Sequence, residues 1–197
     1  MQSPLINELI DAFKLLPTIG PKSAQRMAYY LLQNNPNGGK RLAGAIVEAI
    51  EKVGHCQQCR NFSETDVCRI CSSPARKREQ LCIVETPTDV VAIEQSGIYQ
   101  GLYFVLMGHL SPIDGVGPED LGLPLLEARL KEGEVSELIL ATNPTVEGEA
   151  TAHYIHQMAT VAEVPVTRLA QGIPLGGELE YIDSGTLSQA FAGRKAV

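Results

Sequence analysis

Residues 81–94, LCIVETPTDVVAIE, decide how the chain is read. An apolar run, LCIVE, ends on a carboxylate at Glu85, and a helical stretch follows at once. YFVLM (103–107), ELILA (137–141) and VPVTRLA (164–170) repeat the rhythm, with helical stretches between them. Apolar runs this short read as buried strands. Strand and helix in alternation predict an α/β fold with a mainly parallel, four-stranded sheet. GGELEYID (176–183) adds an expected edge strand, and SGTLSQAFAG (184–193) a small terminal helix.

The third run breaks at Asn143-Pro144, and Glu147 and Glu149 then lead into a helix. Carboxylates just past the carboxyl end of a strand sit where α/β proteins place their chemistry. Negative charge is equally at home at a helix N-terminus. Both readings stand at this point.

At 197 residues and 44% hydrophobic, the chain can bury a core in one large domain or two small ones. Aromatics are 5% and tryptophan is absent, so that core is aliphatic. MQSPLINELI carries no basic region followed by an apolar one, and no apolar run approaches membrane-spanning length. A soluble, cytoplasmic protein is expected. The net charge of −7 hides a split. Residues 1–80 carry 11 Lys/Arg against 7 Asp/Glu, and residues 81–197 carry 5 against 16. A basic end joined to an acidic one hints at nucleic-acid contact through the basic part.

CQQCRNFSETDVCRIC (56–71) pairs four cysteines as C-x2-C, eight residues, C-x2-C. Each pair lets two thiolates face one ion from a tight turn, so Cys56, Cys59, Cys68 and Cys71 close a tetrahedral site. With every position sulfur, no coordination site stays open, and the expected zinc is structural. His55 adjoins the quartet as a substitute ligand that four cysteines make unnecessary. Cys82, inside an apolar run, reads as core. A basic connector, Arg76-Lys77-Arg78, follows.

Three helices open the chain. Ser3 is placed to cap the first, with Pro4 in its first turn. NNPNGG (34–39) is expected to end the second, and the third to run from Lys40 to Val53. Between the first two, LLPTIGPKSAQRMA (15–28) sets a glycine in a tight turn, then Lys22 and Arg26 one helical turn apart. Backbone N–H groups at such a helix start bind phosphate, and the two cations extend the contact along one face. The pattern resembles the helix-hairpin-helix motif, with Thr18 where a glycine is common.

The order of these pieces resembles the RecR family of bacterial recombination mediators, over essentially the whole chain. LPTIGPKSAQRMAYYLL, the cysteine block, LCIVETPTDVVAIE, GHLSPIDGVGPEDLGL, ATNPTVEGEATAHYI and IPLGGELEYID carry the likeness. It implies four segments: a helix-hairpin-helix DNA-binding region over 1–54, a four-cysteine zinc finger with its connector over 55–78, a Toprim domain over 79–172, and a C-terminal strand and helix over 173–197 making an oligomer contact. It also implies a dimer or a ring-shaped tetramer on single- or double-stranded DNA, near the nucleoid. RecO and RecF are the implied partners in DNA repair, loading recombinase onto gapped DNA.

Toprim enzymes hold magnesium with a Glu after the first strand and a D-x-D after a later one. Glu85 supplies the first, but Asn143-Pro144-Thr145 stands in place of the second. Phosphoryl chemistry needs an ion fixed by several oxygens. Glu85, Asp89, Glu147 and Glu149 are therefore expected to recognise a basic protein rather than run a reaction. A metal-dependent nuclease or primase-like enzyme built on the same four acids is the alternative. His109 shows no clear partner, and His153 and His156, at i and i+3, read as surface or core groups. GGELEYID resembles a Walker B-like segment, but without a G-x-x-x-x-G-K-[ST] loop nucleotide hydrolysis does not follow.

Overall fold

The computed structural model describes residues 3–170 and 172–194, so residues 195–197, at the end of the expected C-terminal segment, lie outside it. Two compact units divide the chain, Met1–Val53 and Gly54–Val197. The first is all helical, with α1 (Pro4–Phe13), α2 (Pro21–Gln33) and α3 (Pro36–Lys52). Pro4 opens α1, where its missing N–H costs nothing. Ser3 occupies the cap position but its side chain makes no capping hydrogen bond, contrary to expectation. α3 also begins earlier than expected. Asn35 Oδ1 accepts from the Gly38 N–H at 2.9 Å and Pro36 takes the first helical position, so NNPNGG starts a helix as well as ending one. Ala24 and Ala28 are the buried residues of α2, small enough to let a neighbouring helix approach closely.

The second unit opens with a short hairpin, β1 (Gly54–His55) antiparallel to β2 (Phe62–Ser63). The α/β part then runs β3 (Lys77–Val84), α4 (Pro87–Ser96), β4 (Gly101–Val105), α5 (Leu123–Lys131), β5 (Glu137–Ala141), α6 (Val146–Val161) and β6 (Val166–Arg168). Its sheet has the order β4-β3-β5-β6 and every pairing is parallel. Both faces are covered, which is why these strands read as apolar runs and not as alternation. Leu81, Ile83, Phe104, Leu138 and Leu140 pack on one face with Leu126 and Leu130 of α5 and Ala152, Ile155 and Ala159 of α6. Cys82, Val84, Tyr103 and Val105 pack on the other with Val90 and Ile93 of α4. Since β3 lies between β4 and β5, the chain leaves it in opposite directions on the two sides. The carboxyl ends of β3 and β5 therefore flank a topological switch point.

Two further expectations need correction. Residues 176–183 form no strand: Gly177 N–H donates to Pro174 O, and a short 3₁₀ turn at Leu179–Tyr181 leads to α7 (Ser184–Ala192). The alternation of GGELEYID imitates a strand, but two glycines here close a turn, and Gly176 adopts φ +82°. The basic connector is no linker either. β3 already begins at Lys77, whose N–H donates to Gln100 O, and Arg78 Nη2 donates to Cys71 O at 3.3 Å. Arg76 grips the Glu94 carboxylate through both terminal nitrogens. Charged residues at the start of β3 hid it from a search for apolar runs. Among the described residues no helix is long and apolar enough to cross a membrane.

Candidate functional site

The four cysteines are brought together and buried, with ligand atoms all within 4.8 Å of one another. Sulfurs around zinc at about 2.3 Å form a tetrahedron with edges of about 3.8 Å, and Cys59 Sγ and Cys68 Sγ stand 3.6 Å apart. Backbone turns make the knuckles: Arg60 N–H donates to Cys56 O, and Ser72 N–H to Cys68 O. Burial opposes ionisation of Cys56, but N–H groups of Cys68, Cys59 and Gln58 outweigh it and bring that thiol down to about 7. Cys59 is pushed far up, first by its hydrogen bond with Cys71 and then by burial, and burial also raises Cys68. Four sulfurs this close ionise together only around a cation, so the quartet fits the structural zinc expected of it. His55 takes no part.

Zinc knuckle and sheet are joined by a residue that sequence reading passed over. Arg60 adopts φ +63°, and its guanidinium donates to the carbonyls of Leu106, Asp120 and Leu121. It also lies 5.9 Å over the Phe104 ring. Val105 N–H donates to Cys59 O at 2.8 Å, so the first knuckle covers part of the β4 edge.

In the helical unit, Thr18 adopts φ +68° in the turn before α2, a conformation that a β-branched residue resists. Gly20 stands at the cap position without a side-chain cap and Pro21 follows, leaving the Lys22 and Ser23 N–H groups without intrahelical acceptors. Lys22 and Arg26 are both exposed on α2, and neither makes an ion pair among the described residues.

Glu85, at the end of β3, is 3% exposed. Its Oε1 accepts from the Asn143 backbone N–H at 2.8 Å and its Oε2 from Asn143 Nδ2 at 2.6 Å. Glu85 and Asn143 thus meet across the switch point, the backbone and side-chain amides of one donating to the carboxylate of the other. The helix α6 crosses so close behind them that a Cβ on Gly148 would overlap the Asn143 carbonyl and stand 2.9 Å from Glu85 Oε1. His109 Nδ1 stands 3.8 Å from Glu85 Oε2, too far for a hydrogen bond and an ion pair only with the imidazole protonated. Asp89 closes a capping box at the start of α4, accepting from both the N–H and the hydroxyl of Thr86. Glu149 holds Arg168 of β6 through two contacts of 2.6 Å. Glu147 is exposed in the first turn of α6. Among the described residues the cysteines are the one group of three or more potential ligands close enough to share an ion, so the four acids are not gathered. His153 and His156 are exposed on α6.

Comparison with known families matches the chain along its length. The models described as RecR helix-hairpin-helix (residues 6–50), RecR four-cysteine zinc finger domain (53–73), Toprim domain (79–170) and RecR C-terminal (172–195) follow one another in that order. A recombination protein RecR from Hydrogenovibrio crunogenus is 78% identical over 197 residues, covering all of both chains. Proteins of the same name from Xanthomonas axonopodis pv. citri and Xylella fastidiosa are 59% identical over 195 residues and 57% over 197, covering 99% and 100% of each chain.

Proposed function

The chain belongs to the RecR family of recombination proteins, and from that premise we propose that it is a DNA-binding adaptor and not an enzyme. The observation that carries the reading is the start of α2. N–H groups without intrahelical acceptors, a favourable helix dipole and two cations that make no ion pair among the described residues, Lys22 and Arg26, converge on one exposed turn. That combination suits a phosphodiester backbone, and it reads no base sequence.

The remaining segments take supporting roles in this reading. The four segments 1–54, 55–78, 79–172 and 173–197 divide into DNA contact, zinc-held neck, partner-binding Toprim domain and oligomer contact. Exposed apolar side chains on α3 (Ile46, Val47, Ile50) and near the C-terminus (Leu175, Tyr181, Phe191) suit a homo-oligomer, a dimer or a ring-shaped tetramer. The protein works in the cytoplasm at the nucleoid, with RecO and RecF, to load recombinase on gapped DNA.

Against the nuclease or primase-like alternative stands the chemistry at the switch point. Glu85 is occupied by Asn143, Asp89 by Thr86 and Glu149 by Arg168, so no three oxygens converge on an ion among the described residues. Glu147 and the ion-paired Glu149 then serve to guide a basic protein to this face. The test combines capture of RecO with a magnesium-dependent cleavage assay, using the wild type and Glu147→Ala with Glu149→Ala. The adaptor reading expects weaker RecO capture, intact DNA binding and no cleavage by either protein. Cleavage by the wild type that the double variant loses would replace it with the enzyme.

A further inference from the structure

An open groove of about 590 Å³ runs between the second zinc knuckle and α4. Phe62, Ile70 and Val91 supply its apolar surface, and Asn61, Arg69 and Gln95 its polar rim. Phe62 is 57% exposed although it is an aromatic residue in a segment with little core to spare. Its ring packs on His55, the residue opposite it in the hairpin, with centroids 5.3 Å apart and planes tilted by 34°. Asn61 Oδ1 accepts from the Phe62 N–H at 2.8 Å, which fixes the amide and leaves its NH₂ without a hydrogen bond among the described residues.

The charge of the groove is equally specific. Glu94 is its one carboxylate, and Arg76 holds it from both terminal nitrogens while the Tyr103 hydroxyl donates to it at 2.7 Å. Those bonds, Arg76 first, keep the Glu94 carboxyl below its ordinary range. Arg69 is exposed and makes no hydrogen bond or ion pair among the described residues. Glu94 also feels the charge of Arg69, and with two guanidiniums against one carboxylate the groove keeps a net positive charge.

We propose that this groove is a second nucleic-acid site, which takes an unpaired base of single-stranded DNA. Phe62 offers the stacking face, Asn61 and Gln95 offer amides to the base edge, and Arg69 meets the neighbouring phosphate. An aromatic platform beside a cation tolerates any base, because every base has a π-face. A duplex keeps its bases stacked inside and presents no such face. The α2 turn therefore holds backbone of either form, whereas the groove selects for the single strand. The site is independent of the α2 contact, so each can fail alone.

Fluorescence anisotropy of full-length, zinc-loaded protein on an oligo-dT strand and on a duplex of equal length tests it. Phe62→Leu, which keeps an apolar side chain in the hairpin, should weaken oligo-dT binding roughly tenfold and duplex binding less than twofold. Arg69→Gln should lower the single-strand salt slope by about 0.7. A photoactivated 5-iodouracil in the strand should cross-link to the peptide that contains Phe62. Zinc content of one ion per chain certifies that the variants are folded. Phe62→Leu with full zinc and unchanged oligo-dT affinity overturns the proposal. So does unchanged affinity with an altered mass in solution, which would assign the face to a second copy of the chain. Lys22→Ala with Arg26→Ala should weaken both DNA forms yet keep the effect of Phe62→Leu.

Discussion

Replacing Asn143 with aspartate puts a carboxylate where the amide now donates to Glu85 Oε2 at 2.6 Å. Two unit charges at that distance repel by about 6 kcal/mol at an effective dielectric of about 20. The protein need not bear all of it, because the pair can take up one proton. Holding a carboxyl protonated at pH 7, about three units above its ordinary titration, costs about 4 kcal/mol, which caps the penalty. The folded variant binds a proton that the unfolded chain releases, so its stability rises as pH falls from 7 towards 4, by about 1.4 kcal/mol per unit. A loss of about 4 kcal/mol corresponds to a fall in Tm of roughly 8–16 °C for a unit of this size. Magnesium should reverse part of the loss, since two facing carboxylates form the beginning of an ion site; at ten times its Kd it would restore about 1.4 kcal/mol. Thermal unfolding of Asn143→Asp at pH 5 and 7, with and without magnesium, measures all three effects. A variant as stable as the wild type at pH 7 and indifferent to magnesium would refute this reading of the Glu85–Asn143 pair.

Thr18→Gly should stabilise the helical unit by about 0.5–1 kcal/mol, because relief of roughly 1–2 kcal/mol of left-handed strain outweighs the added freedom of glycine. Denaturant unfolding of the two proteins checks it, and a destabilised variant would contradict the strain. Cys59→Ala should abolish zinc binding and unfold residues 56–71, lowering solubility. Because Cys59 O accepts from Val105 N–H, amide exchange at Val105 should quicken as well, and zinc-free wild-type protein with slow exchange there would break the link between knuckle and sheet.

What is legible in the sequence is local. Cysteines at C-x2-C spacing signal a metal because each pair is its own turn, and LCIVE and ELILA signal buried strands because both faces of the sheet are covered. What escaped was settled by distant parts of the chain. Arg60 reads as a surface cation after a zinc knuckle, yet its acceptors lie 46 to 61 residues away. The role of Glu149 depends on Arg168, on a neighbouring strand, and that of Glu85 on Asn143, 58 residues on. GGELEYID has the alternation of a strand, but its glycines and Pro174 close a turn first. Lys77 and Arg78 belong to β3 although their charge hides it.

The proposed DNA contact at α2 is open to direct measurement. Affinity of Lys22→Ala with Arg26→Ala for duplex DNA, measured across a salt series, isolates it. Two lost phosphate contacts should lower the slope of log K against log salt by about 1.8, whatever the DNA sequence, with the fold unchanged. An affinity and slope equal to those of the wild type would contradict the account and place the DNA site elsewhere.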